Sequence, residues 1–170
     1  MDTLTRYSPD WYECDPRFTA ITTYLGDRTP HHVLDFGALN HVMARRFVDR
    51  YTCHVIAIDD STELDPTPGV DIERRRYGPT DLRRLGHFDV TLALSVLHHQ
   101  KQPRNYLRAL LDISTVLFVE IPHPDEILPG VDTHKHTPTL HAEIEKLGGT
   151  IICETPGWDS RFLRNTYAIG

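Results

Sequence analysis

The stretch His32-Val-Leu-Asp-Phe-Gly-Ala-Leu-Asn-His41 decides the fold, because it joins a short apolar run to a glycine and then to a helical pattern. Further short apolar runs follow at residues 54–58, 88–94, 115–120 and 149–153. Runs of this length that are apolar on both faces are typical of buried parallel strands. Amphipathic helical patterns lie between them at residues 40–51, 105–113 and 139–147. This alternation predicts an α/β fold with a doubly wound, mostly parallel sheet.

The end of the chain breaks the alternation. Residues 151–157 and 164–169 are two strand candidates joined by a Pro-Gly turn region, which predicts a C-terminal antiparallel hairpin. Residues 60–87 contain three prolines and an arginine run, so a third strand is only weakly indicated there. Residues 122–138 predict a long loop, and loops of that length often carry function.

Length and composition predict one cytoplasmic domain. The chain has 170 residues, 39% of them apolar, and a formal net charge of −6, which is ordinary for a globular protein and disfavours nucleic acid as a partner. We expect a single domain over 1–170, with an N-terminal helical or lid segment over 1–29 and a core over 30–170. The three cysteines are far apart, as in a reducing compartment. No apolar run approaches the length of a membrane span, about 20 residues.

The turn after the first strand and the acid after the second point to a nucleoside-containing cofactor. Gly37 permits a tight turn, and Asp59 follows it by about 20 residues, where ribose hydroxyls are held in nucleotide-binding sheets. A dinucleotide fingerprint has a second glycine at the position of Leu39. Its absence disfavours NAD and favours a cofactor without phosphates.

Three motifs in order resemble those of the class I S-adenosyl-L-methionine (SAM)-dependent methyltransferases. They are residues 33–37 (VLDFG), 56–61 (IAIDDS) and 88–99 (FDVTLALSVLHH). The resemblance runs from about residue 30 to the C-terminus. It implies a Rossmann-like sheet of the seven-stranded type that ends in an antiparallel hairpin, and it implies SAM as the cofactor.

The resemblance also implies which residues contact SAM. They follow the first four strands: Asp35, Gly37, Ala38, Leu39, Asp59, Asp60, Tyr77, Gly78, Leu94 and Ser95. The methionine half would lie against Asp35 and the loop backbone after it, and the ribose against Asp59. The family usually has glycine at the positions of Leu39 and His41.

We expect four residues to line the acceptor side: His98, His99, Glu120 and His123. An imidazole with an unperturbed pKa of about 6.5 can take a proton from an attacking hydroxyl or amine. Methyl transfer is an in-line displacement in which positioning does most of the work, so a base is optional and one histidine could simply pack. The glutamates of a small-RNA 2′-O-methyltransferase metal site are missing, so no metal is expected.

The sequence therefore predicts a SAM-dependent methyltransferase that acts on an oxygen or nitrogen of a small acceptor. The alternative is a catalytically silent module that keeps the fold and uses it for interaction. RNA 2′-O or protein methylation is disfavoured. Replacing Asp59 with alanine separates the first two hypotheses, because only the methyltransferase depends on cofactor binding.

Overall fold

A computed structural model describes residues 14–60, 66–126, 136–157 and 159–170. Its elements are α1 (Asp15–Leu25), β1 (His32–Phe36), α2 (Val42–Tyr51), β2 (His54–Ile58), β3 (Val70–Glu73), α3 (Pro79–Leu82), β4 (Phe88–Leu94), a 3-10 turn (Leu97–His99), α4 (Pro103–Asp112), β5 (Ser114–Ile121), α5 (Thr137–Lys146), β6 (Thr150–Pro156) and β7 (Leu163–Ile169). Residues 14–29 of the predicted N-terminal segment are described, and there Phe18 packs edge-on against Phe47.

The seven strands form one sheet in the order β3-β2-β1-β4-β5-β7-β6. The first five run parallel, and β7 pairs antiparallel with both β5 and β6. The predicted doubly wound sheet and its terminal hairpin are therefore confirmed. The strand order reverses between β1 and β4, so a crevice forms beyond the carboxyl ends of these two strands.

The weakly indicated third strand exists, but it is short and lies at the edge of the sheet. A proline just before it limits its start, because proline has no N–H to donate to a sheet ladder. Pro68 lies just before β3, and Pro79 begins the four-residue helix α3. This side of the sheet has less regular structure than the side built by β4 and β5.

Both faces of the sheet are covered, which explains why its central strands are apolar throughout. In β5, Leu117 and Val119 pack with α4 and α5 on one face, whereas Phe118 packs with α1 and α2 on the other. This alternation is the period of a strand buried on both sides. Among the described residues, no helix is long and apolar enough to cross a membrane.

Gly37 ends β1 in a conformation that only glycine adopts easily, with φ of 80°. A Cβ at this position would lie 2.5 Å from Cβ of Val96, which follows β4. The backbone of the first loop therefore contacts the fourth strand end directly. This close approach fixes the floor of the crevice.

Replacing Gly37 with alanine should lower the free energy of unfolding by about 2–5 kcal/mol. Left-handed strain contributes about 1–2 kcal/mol, and overpacking against Val96 adds about 1–3 kcal/mol. Gly148→Ala is the matched control, because Gly148 also has φ of 80° but an added Cβ would meet nothing within 4 Å. Urea unfolding of both variants measures the difference. Equal losses would contradict the steric contribution of Val96.

Candidate functional site

A main cavity of about 420 Å³ lies beyond the carboxyl ends of β1, β2 and β4, at the reversal of strand order. This is a volume typical of small-molecule sites. Seven of the predicted cofactor contacts line it: Gly37, Leu39, Asp59, Asp60, Tyr77, Leu94 and Ser95. The structure thus brings together residues from four strand ends that are far apart in the sequence. Gly78 lies outside it, as the N-cap of α3.

A smaller side cavity of about 40 Å³ adjoins the main one. Gly37, Leu39 and Leu94 line both cavities, so the two lie side by side at the ends of β1 and β4. The side cavity holds two further predicted contacts, Asp35 and Ala38. It also holds a residue that the sequence analysis did not single out, Arg17 of α1.

The carboxyl group of Asp35 is buried, and its Oδ2 has no hydrogen-bond partner among the described residues. Burial raises the pKa of this carboxyl to about 7, and the nearby Asp59 adds to the rise. A backbone hydrogen bond from Ala44 and the charge of Arg17 lower the pKa and so oppose it. A buried acceptor without a partner is costly in a folded protein, and a bound cation would complete it.

The loop after β1 uses its own backbone donors internally. The N–H groups of Gly37 and Ala38 donate to the carbonyl of Ile58, at 2.8 and 3.1 Å. The N–H of Leu39 donates to Oδ2 of Asp59 at 2.9 Å. These bonds fasten the loop to the end of β2. The first three amide donors of the loop are therefore engaged within the protein.

Leu39 and His41 occupy the left-handed backbone region, each with φ of 48°. These are the two positions at which the methyltransferase family usually has glycine, so the loop keeps the glycine-type conformation without glycine. His41 is buried, and its Nε2 lies 2.9 Å from Oγ1 of Thr67. Its N–H donates to the carbonyl of Ala38 at 2.7 Å. These contacts offset the strain of about 1–2 kcal/mol expected for each non-glycine residue.

The four residues predicted for the acceptor side do not form one cluster. Both histidines belong to the 3-10 turn, in which His99 is exposed and lines the main cavity, whereas His98 is buried and lines neither cavity. Glu120 is completely buried. His123 stacks on Phe162 at 5.0 Å, away from both cavities. His99 is thus the one residue of the four that borders the main cavity.

Glu120 is the centre of a buried hydrogen-bonded group. It accepts from Nη1 of Arg17 at 3.2 Å and from the hydroxyl of Thr155 at 3.3 Å. Ser95, which lines the main cavity, donates its hydroxyl to Oε1 of Glu120. Nη1 of Arg164 donates to Oγ of Ser95 at 2.9 Å. Glu120 therefore reaches the cavity through Ser95, although it does not line the cavity itself.

The same group extends to the terminal hairpin. Arg164 forms a two-pronged ion pair with Glu126, at 3.0 and 2.7 Å. A Cβ on Gly157 would come within 2.6 Å of the Glu126 carboxylate, so the hairpin backbone packs directly against it. Bidentate arginine–carboxylate pairs fix the relative orientation of the two side chains as well as stabilising the contact. They fasten the hairpin to the loop after β5.

Sequence analysis missed Arg17, although a signal was present. Arg17, Ile21 and Leu25 are the buried residues of α1, and they recur every four positions on one face. An arginine on an otherwise apolar stripe indicates a buried ion pair or a ligand contact. Its partner Glu120 lies 103 positions away, so the sequence does not identify the pair.

The described residues contain no group of three or more histidine, cysteine or acidic side chains placed to hold a metal ion. The three cysteines are all free thiols. Burial raises the pKa of the Cys14 thiol, beside Arg17, to about 11. The described side chains that line the two cavities carry carboxylates, guanidinium groups, hydroxyls, amides, an imidazole and a thiol.

The fold is shared with solved methyltransferases. The bifunctional kinase-methyltransferase WbdD superposes over 97% of this chain with a TM-score of 0.73 and 18% identity, and the chain spans 40% of the WbdD chain. The N-terminal domain of EvdMO1, with S-adenosylhomocysteine (SAH) bound, has a TM-score of 0.66 and 15% identity over 95% of this chain and 84% of that one.

A third structure is the magnesium protoporphyrin IX methyltransferase ChlM from Synechocystis PCC 6803 with bound SAH. It has a TM-score of 0.65 and 13% identity over 92% of this chain and 83% of its own. Neither a protein-family model nor a curated protein sequence matches the chain. At this level of identity the comparisons show a shared fold, the Rossmann-like sheet of these methyltransferases.

Proposed function

We propose that this domain is a SAM-dependent methyltransferase that transfers a methyl group to an oxygen or nitrogen of a small acceptor. The observation that carries the proposal is the buried carboxylate oxygen of Asp35 in the side cavity, which has no hydrogen-bond partner among the described residues. It lies beside the end of β1, and the acid Asp59 borders the main cavity at the end of β2. The fold that this chain shares with structures containing SAH supports the same proposed function.

The two cavities suit the two halves of SAM. The ammonium group of the methionine half fits the unpartnered oxygen of Asp35, because a cation there completes a buried anion. Oδ2 of Asp59 accepts from the N–H of Leu39, and the carboxylate borders the main cavity, where it would accept a ribose hydroxyl. Tyr77, with the guanidinium of Arg75 at 4.2 Å over its ring, supplies an aromatic wall for the adenine.

When bound, SAM supplies a methyl group activated by a neighbouring sulfonium. The chain's own residues would orient the acceptor and remove its proton. Leu94 ends β4 and lines both cavities, and Ser95 follows it at the main cavity, so the two would face the reacting atoms. His99 would receive this proton at an imidazole nitrogen, a role supported by its exposed position at the border of the main cavity.

The acceptor is proposed to be small. The described part of the chain forms one sheet domain, and the walls around the site come from strand ends and short turns. One structural neighbour is a magnesium protoporphyrin IX methyltransferase. Another, the N-terminal domain of EvdMO1, was also solved in the presence of SAH and D-fucose. Protein or RNA methylation has less support in the acidic chain.

The second candidate is a catalytically silent module that keeps the methyltransferase fold. Leu39 and His41 favour it, because two side chains stand in left-handed positions that glycine usually occupies. Asp35 and Asp59 favour the enzyme. The two candidates differ in whether the cavities bind SAM and SAH.

Calorimetric titration should show micromolar binding of SAM and SAH, about −8 kcal/mol. Asp59→Ala should weaken both by tenfold or more, since it removes the proposed ribose contact and the bond that holds Leu39. Asp71→Ala is the matched control, because Asp71 is an exposed acid in β3 that pairs with His54 outside the cavities. Absence of heat and of thermal stabilisation with either ligand would favour the silent module.

Cofactor binding should depend on pH through Asp35. The pKa of about 7 means that the carboxyl is mostly protonated below neutral pH in the unliganded protein. An ammonium prefers the ionised form, so SAH should bind about tenfold more weakly near pH 6 than near pH 8. Affinity should rise with pH up to about 7 and then level off.

The accompanying proton release can be measured directly. Titrations below neutral pH in two buffers of different ionisation enthalpy should show a proton leaving the protein on SAH binding. Asp35→Asn should bind more weakly, with a flatter pH profile and less proton release. A wild-type profile that stays flat from about pH 6 to 8 would contradict the role of Asp35.

A further inference from the structure

The first three strands begin with a row of exposed polar side chains. His32 begins β1 and lies directly beside His54, which begins β2, in the parallel register. Their imidazole rings are 6.5 Å apart, measured between the ring centroids. His54 also contacts Asp71 of β3, and its Nε2 lies 2.9 Å from Oδ2 of the carboxylate. The row therefore crosses three neighbouring strands at their amino ends, opposite the two cavities.

Stability alone gives a weak reason for this row. The side chains of His54 and Asp71 are 48% and 70% exposed, and exposed ion pairs contribute little to folding. His32 is exposed as well. Two imidazoles that lie side by side in solvent, one of them bonded to a carboxylate, are instead an arrangement that suits a bound ion.

The contact between His54 and Asp71 has the form that is common at metal sites. There a ligating histidine donates its other ring N–H to a carboxylate, which fixes the tautomer and raises the basicity of the ligating nitrogen. An ionised carboxylate only accepts, so Nε2 of His54 carries the hydrogen and Nδ1 of the neutral ring keeps its lone pair. Among the described residues, neither this Nδ1 nor a ring nitrogen of His32 takes part in a hydrogen bond.

We propose that His32 and His54 chelate one divalent ion of the late first-row metals, Zn²⁺, Ni²⁺ or Cu²⁺, with Asp71 as the carboxylate partner of His54. Imidazole is a favoured ligand of these ions. An ion lies about 2 Å from a ligating imidazole nitrogen, and rotation of the two exposed side chains would bring one nitrogen of each ring to it. The described residues contain no group of three ligands, so water would complete the coordination.

The proposed ion would tie β1 to β2 at the ends of these strands that lie away from the cavities. The inference is independent of the proposed function, because none of its residues lines either cavity. An ion that binds only the folded protein stabilises it by mass action. The expected consequence is therefore a metal-dependent gain in stability of this half of the sheet.

Calorimetric titration of the full chain with zinc chloride tests the site. Wild type should take up one Zn²⁺ that His32→Gln/His54→Gln does not. Each single variant should bind this ion at least about tenfold more weakly, because two ligands on one scaffold raise each other's effective concentration. Asp71→Asn should weaken binding about tenfold, since it removes the carboxylate partner. His87→Gln is the matched control and should bind as wild type does, because His87 is exposed at the same end of the sheet but lies against Thr115.

The chain has eleven histidines, so a second measurement locates the ion. Substoichiometric Cu²⁺ broadens the nuclear magnetic resonance signals of the imidazoles that bind it. The signals of His32 and His54, assigned through their glutamine variants, should broaden first. Zn²⁺ should also raise the melting temperature of wild type more than that of the double variant.

The exposed positions of both histidines allow the variants to fold, and far-ultraviolet circular dichroism checks this. Equal Zn²⁺ uptake by wild type and the folded double variant would overturn the site. Cu²⁺ broadening that begins at other histidines would overturn it as well. Single variants that keep the wild-type affinity would overturn chelation by the pair.

Discussion

The buried ion pair between Arg17 and Glu120 holds together the parts of the molecule that surround the site. It joins α1 to β5, and Ser95 and Thr155 bond to the same carboxylate from β4 and β6. Removing one partner would leave a buried charge uncompensated, at a cost of about 3–5 kcal/mol. This carboxylate therefore adds a buried polar link to the apolar packing of α1 on the sheet, and it shares the orientation of Ser95 with Arg164.

A second constraint acts on the other side of the site, where the loop after β1 is fastened to the end of β2. Its amides are engaged with Ile58 and Asp59, and Gly37 packs against Val96. The loop is thus rigid without the usual glycines at Leu39 and His41. A rigid loop with engaged donors shifts ligand recognition toward side chains. Asp35 and Arg17 are the charged side chains that line the cavity beside it.

The sheet could be predicted from the sequence because each strand is marked by a short, continuous run of apolar residues. The apolar runs at 32–36, 54–58 and 88–94 coincide with β1, β2 and β4, since burial on both faces leaves a continuous apolar signal. The buried charges could not be predicted in the same way. Ser95 and Arg164 are 69 positions apart, and only the folded chain brings them together. His98 and His99 are adjacent, yet the 3-10 turn buries one and exposes the other.

Several features of this site disagree with what stability alone would favour. Asp35 is buried, and one of its carboxylate oxygens has no hydrogen-bond partner among the described residues. Leu39 and Ser95 have left-handed backbone conformations. Arg17 lies on the otherwise apolar buried face of α1. Such departures concentrate at functional sites in natural proteins. In this chain they all lie around two adjoining cavities at one end of the sheet. A module that used only its outer surface would have no physical reason to retain them there, so the arrangement favours a ligand that completes the buried charges.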